Sequence, residues 1–195
     1  MRASTRSLVA RRLAVVACST LFLGVSADAA TVAHGSAARE RMTRCAVSAL
    51  RFQPGPLWSE ETGQHTGTIV VINLSRERCS LDGYPTLTVL DARHRLLAFR
   101  IGHRGDQVIA AESPREVLLQ VVGRAYFVFN KYRCDIRSTA VARYLRVSLR
   151  PSAGDSQLVR LAGYPIIDFC PGELASTTIA VSPFVSRLGQ AARAR

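Results

Sequence analysis

The sequence predicts an all-β protein, an immunoglobulin-like antiparallel β-sandwich with two disulfides. Three observations carry that reading. Apolar and polar residues alternate in short runs through the middle of the chain, and clusters of turn-forming residues separate those runs. Four cysteines, Cys45, Cys79, Cys134 and Cys170, span the same stretch, behind a segment that reads as an export signal. Short strands between glycine and proline punctuation build sandwiches or barrels. An even set of cysteines in an oxidising compartment pairs into bridges.

The export signal comes first. Arg2, Arg6, Arg11 and Arg12 make a positive start, Leu13 to Val25 is apolar and uncharged, and Ala27-Asp28-Ala29 offers small residues for cleavage after Ala29. The apolar run falls short of the roughly 20 residues that span a bilayer, so no transmembrane segment is expected in the mature chain; an uncleaved N-terminal anchor is the alternative. Val15-Val16-Ala17-Cys18 also resembles a lipobox, which would make Cys18 a lipid-anchored N-terminus. Only five apolar residues separate Arg12 from that cysteine, and the apolar run continues beyond it. The preferred division is therefore a signal peptide over 1–29, a flexible tether over 30–44, a sandwich domain over 45–184 and a basic tail over 185–195. Residues 30–195 suffice for one domain with a substantial core.

The strands follow in order. Ala46, Ser48, Leu50 and Phe52 alternate with Val47, Ala49 and Arg51. Thr68 to Ile72 is a β-branched run suited to a central strand buried on both faces. Leu87 and Val89 share a face, as do Leu97, Phe99 and Ile101. Val117 to Val122, Ala125 to Phe129, Leu145 with Val147 and Leu149, and Ile179 with Val181 complete the series. Pro54-Gly55-Pro56, Asp82-Gly83, Gly102, Gly105, Ser113-Pro114, Pro151 to Gly154 and Pro171-Gly172 are expected as turns. Arg137 to Arg143 is expected to hold one helical turn. Leu81-Asp82-Gly83-Tyr84-Pro85 recurs as Leu161-Ala162-Gly163-Tyr164-Pro165, a turn that launches a strand beneath an aromatic ring.

The formal charge is +12, and Lys131 is the only lysine among the 26 basic residues. The arginines fall every few residues rather than in one block, which reads as a solvated surface. Tyr132-Arg133-Cys134 resembles the Tyr-x-Cys of an immunoglobulin strand, but the only tryptophan, Trp58, precedes Cys79 instead of following it. Zinc is disfavoured because no cysteine pair has Cys-x-x-Cys spacing. No Gly-x-Ser-x-Gly elbow, phosphate-cradling loop or His-Glu-x-x-His occurs. His94 and His103, with Asp91 or Asp106, are the remaining acid–base or metal candidates, with solvent-exposed loop histidines as the ordinary alternative. No catalytic residue, metal or cofactor is expected.

One resemblance is specific. Gly67 to Leu74 followed by Cys79-Ser80-Leu81-Asp82-Gly83-Tyr84-Pro85, with Asp91 closing the next strand, is similar to the central motif of a secreted actinobacterial family of unknown function, DUF4232. Gly123 to Phe127, Cys134, Cys170 and Val181 to Phe184 fit the same pattern, so the likeness runs from about Cys45 to Phe184. The family's hairpin glycine after the aspartate is replaced by Ala92-Arg93-His94, so His94 must take a left-handed backbone. The resemblance implies an exported β-sandwich, often on the cell envelope, without established chemistry.

Four cysteines allow three pairings. If the first and last strands lie side by side, the nested pattern Cys45–Cys170 and Cys79–Cys134 results, and that pattern is expected here. The favoured function is a secreted or envelope-associated, non-catalytic module that binds an extracellular partner. Its candidate contacts are Trp58, Tyr84, Tyr132 and Tyr164; the alternative for these rings is capping the ends of the core. The competing readings are an arginine-rich polyanion binder using Arg76, Arg78, Arg93, Arg95, Arg100, Arg104, Arg133 and Arg137, and an uncharacterised hydrolase. Specific nucleic-acid binding is not expected.

Overall fold

The computed structural model describes residues 42–59, 63–135, 137–150, 154–161, 167–172, 174 and 176–191, without the side chains of residues 57–59. The expected signal peptide, most of the tether, Tyr164 with its repeated turn, and the last four residues lie outside that set.

The described chain is all-β. Its strands are β1 (Leu50–Ser59), β2 (Gln64–Asn73), β3 (Cys79–Leu81), β4 (Thr86–Leu90), β5 (Leu96–Leu97), β6 (Arg100–Gly102) and β7 (Val117–Leu119), followed by β8 (Arg124–Tyr132), β9 (Ala140–Val141), β10 (Tyr144–Ser148), β11 (Gln157–Arg160), β12 (Asp168–Phe169) and β13 (Thr178–Val181). One sheet has the order β1-β2-β8-β13-β6 and a second has the order β11-β10-β4-β5, with β12-β9 and β3-β7 as two-stranded ribbons. Neighbours run antiparallel except β13 and β6, which are parallel.

The two larger sheets face one another across a single core. Ile69, Val71, Phe127, Phe129 and Ile179 from the first sheet meet Leu87, Val89, Leu145, Val147 and Val159 from the second. Alternate residues of the first sheet point to its other face. There Val128 and Ala180 are covered by Ile109, Val185 and Ala191. That second covering explains why β2 is buried along nearly its whole length, as its β-branched run predicts. Gln157 of β11 ties the edges of the two sheets together, because its amide nitrogen donates to the carbonyls of Val47 (2.8 Å) and Leu50 (2.5 Å).

Several expectations change. Pro54-Gly55-Pro56 is no turn: it lies inside β1, where the register shifts between Pro54 and Trp58. β1 is an edge strand, so its prolines break no inner ladder. Gly55 is required there, since a Cβ would stand 2.8 Å from Thr68 Cγ2. Gly102 likewise ends β6 rather than making a turn. Arg137 to Arg143 carries the short strand β9 in place of a helical turn. Leu97 and Ile101 both pack on the core, but the chain changes sheet between them. The segment from Val185 onward, expected as a loose tail, bridges Tyr126 at Val185 and buries Ala191. At the other end Ser80 donates to the Thr43 carbonyl, so pairing begins before Cys45.

The disulfides are Cys45–Cys79 and Cys134–Cys170, with Cα separations of 4.9 and 6.0 Å. The nested pairing is thereby corrected. It required the first and last strands to be neighbours, whereas β13 lies between β8 and β6, away from β1. Each cysteine instead meets the next one along the chain. Cys45 donates its N–H to Ser80 in the strand that begins at Cys79. Cys170 follows β12, whose partner β9 begins shortly after Cys134.

Candidate functional site

The DUF4232-like motif residues prove to be turn organisers. Asn73 ends β2, and its amide donates to the carbonyls of Glu77 (2.8 Å) and Gln120 (3.2 Å) while its Oδ1 accepts from the Ser75 N–H and hydroxyl. Asp91 directly follows β4 and closes the hairpin after it. Its Oδ1 accepts the backbone N–H groups of Arg93 and Arg95, and its Oδ2 meets the Arg95 guanidinium at 2.7 Å. These donors, led by the Arg95 N–H, hold its carboxyl below the ordinary carboxylate value against the opposing effect of burial. His94 takes φ 60°, as the missing glycine demands, and its ring meets Tyr144 edge-on. His103 stacks on Tyr84 at 4.0 Å, and partial loss of solvent lowers its pKa. His94, His103, Asp91 and Asp106 are thus each engaged separately.

The outer face of the five-stranded sheet carries a groove of about 720 Å³, bordered by Ile101 to Asp106, Tyr132, Leu174, Thr178 and Ala180. Its floor is sheet and its wall is the loop after β6. Gly105 lets that loop turn, at φ +72°; a Cβ there would lie 2.7 Å from the Ile109 carbonyl oxygen. Asp106 anchors the wall: one carboxylate oxygen accepts from the Val108 and Ile109 N–H groups, and the other from Asn130 Nδ2 at 2.7 Å. Asn130 also donates to Gln64 and accepts from the Thr66 hydroxyl, so the network reaches across β2 and β8. Gln64 in turn donates to Gln107. Asp106 is therefore committed to the fold. Arg104 and Leu174 stand exposed at the rim.

Of the four predicted contact aromatics, Tyr132 lines this groove, and Tyr84 supports it by stacking on His103 and donating to the Glu112 carbonyl at 3.1 Å. The Trp58 side chain and all of Tyr164 lie outside the described residues. The candidate arginines divide. Arg76 and Arg78 follow the end of β2 at Asn73, whereas Arg133 and Arg137 follow the opposite end of β8; the register pairing Gln64 with Tyr132 and Ile72 with Arg124 sets these poles apart. Arg95 is held by Asp91.

The inner face ends in a cluster that the sequence reading passed over. Lys131 is fully buried, and its Nζ lies 2.5 Å from Asp168 Oδ1. His65 Nε2 is 3.7 Å from the same oxygen, and the Cys134 N–H donates to Oδ2 at 3.1 Å. Burial raises the Asp168 pKa, but the hydrogen bonds from Lys131 and Cys134 and the adjacent positive charge outweigh it, and the net shift is downward. Cys134, Asp168 and Cys170 converge at metal-ligand distances, yet both sulfurs are consumed by the disulfide and supply no thiolate. One signal was available in the sequence: the alternation of β8 carries on through Asn130 and Lys131, placing the chain's sole lysine on the core side.

The family model described as "Domain of unknown function (DUF4232)" matches residues 45–184. Neither the curated proteins nor the solved structures yield a match to the chain.

Proposed function

The chain belongs to the DUF4232 family, and from that premise we propose an exported, non-catalytic β-sandwich module that binds a partner through the outer-face groove. The groove carries this reading. Its volume of about 720 Å³ lies in the range of ligand-binding clefts, which are mostly apolar with a few placed polar groups. Leu174, Ala180 and the Tyr132 ring supply the apolar surface. Arg104 supplies a fixed positive charge, and the exposed Leu174 offers an edge for contact. The ligand this suits has an apolar body and an acidic group. Export is supported by the two formed disulfides. Among the described residues no helix is long and apolar enough to cross a membrane.

The test is capture of partners from an envelope extract by the oxidised domain, at low and high salt, beside a Leu174→Glu variant. A groove partner persists at high salt and is lost with Leu174→Glu. Capture that collapses with salt through counterion release, and that ignores Leu174→Glu, would establish the polyanion reading instead.

A further inference from the structure

We propose that Lys131 and Asp168 condense to an intramolecular isopeptide bond, which fastens β8 to β12 beside the Cys134–Cys170 bridge. Three observations converge. First, the pair is buried and in contact, with Lys131 at 0% and Asp168 at 14% side-chain exposure. Two opposite charges withdrawn from water carry a large desolvation cost, whereas the product is a neutral amide. Contact inside a closed core also supplies the proximity that makes an intramolecular acyl transfer fast.

Second, the surroundings provide the remaining parts. The Cys134 N–H already points at Asp168 Oδ2, the oxygen that bears negative charge when nitrogen adds to the carboxyl carbon. His65 sits against Oδ1, the oxygen that departs. The step balances without a co-reactant. The ammonium proton of Lys131 passes to the Asp168 carboxylate, giving amine and acid. The amine nitrogen bonds to Cγ, and negative charge gathers on Oδ2. The Cγ–Oδ1 bond then breaks, and Oδ1 leaves as water with the second proton from nitrogen, carried by His65. Nothing is oxidised or reduced.

Third, the residue type is singular. The chain has one lysine against 25 arginines, and that lysine is the residue whose amino group touches the Asp168 carboxylate. Arginine offers no nucleophilic amine because its guanidinium stays protonated, whereas lysine carries a primary amine that can form an amide.

Digestion with an arginine-specific protease after full reduction and alkylation tests this. Residues 125–133 hold Lys131, residues 161–187 hold Asp168, and reduction leaves no sulfur link between them. The expected result is a branched peptide joining the two segments, lighter than their sum by one water, in most of the purified domain. It is absent from Lys131→Met, and Asp168→Asn yields the same branched mass through loss of ammonia. Recovery of two separate linear peptides from the wild-type protein overturns the proposal, whatever the variants do. If the branched peptide accumulates as fast in His65→Gln, His65 has no part in carrying the proton.

Discussion

The two faces of the five-stranded sheet close the same pole in opposite ways. Asn130 and Lys131 are successive residues of β8, so their side chains point to opposite faces. Asn130 enters an amide and hydroxyl network that is joined to the Asp106 carboxylate and anchors the wall of an open groove. Lys131 is fully buried on the other face and meets the partly buried Asp168 carboxylate there. One strand thus serves binding on the outside and fastening on the inside. A polar residue in a β-strand has a role only once its face is known.

The sharpest way to break this comparison is to truncate both residues. Lys131→Ala takes from Asp168 its main partner, and with it the proposed amide, and should cost at least about 3–5 kcal/mol. Asn130→Ala removes hydrogen bonds to Gln64, Thr66 and the Asp106 carboxylate, with no ammonium taken from a buried pair, and should cost about 1–3 kcal/mol. Urea unfolding of the oxidised domain measures both, and equal losses would abolish the distinction. Next in size, removing Cys45–Cys79, whose partners are 34 residues apart, should cost about 4 kcal/mol in the chain-entropy model, within a usual 2–5. The same treatment of Cys134–Cys170 should cost less, because the proposed Lys131–Asp168 amide closes a nearly identical loop.

Acid sharpens a third feature. The folded pKa of Asp91 lies below its ordinary 3.8, so its stabilising effect is complete above pH 3.8 and disappears as pH falls through the lower, folded value. Asp91→Asn should unfold more easily at neutral pH than the wild type, and the gap should narrow in acid. A constant gap would mean that the carboxylate charge is immaterial to the turn. The smallest expected change is in the groove: Leu174→Glu should alter stability by no more than about 0.5 kcal/mol while abolishing apolar binding.

Much of the fold was legible because its strands obey period two. Leu87 with Val89 and Leu145 with Val147 lie where their alternation put them, and Thr68 to Ile72 lies in a strand buried on both faces, as its continuous β-branched run predicts. The left-handed turn at His94 was readable through the family resemblance, which places a glycine in the hairpin after Asp91. What escaped was set by tertiary neighbours. Pro54-Gly55-Pro56 carries every local mark of a turn and is a strand only because β2 pairs with it from one side. β9 and β12 are two-residue strands with too few positions to show a period. The cysteine pairing depended on where β13 inserts, which no local pattern records. Tyr132, singled out as an aromatic candidate, lies on the groove. The groove itself was not, since its wall, floor and rim come from β6, β8, β13 and Leu174.

A two-dimensional NMR titration of the oxidised, ¹⁵N-labelled domain with 1-anilinonaphthalene-8-sulfonate, an apolar ring system bearing one acidic group, reaches the central claim most directly. Saturable shifts confined to Ile101–Asp106, Tyr132, Leu174 and Thr178–Ala180, with Phe127, Phe129 and Lys131 unmoved, are the expected result. Shifts spread through the inner face, or none that saturate, would contradict an open outer groove set against a closed inner core.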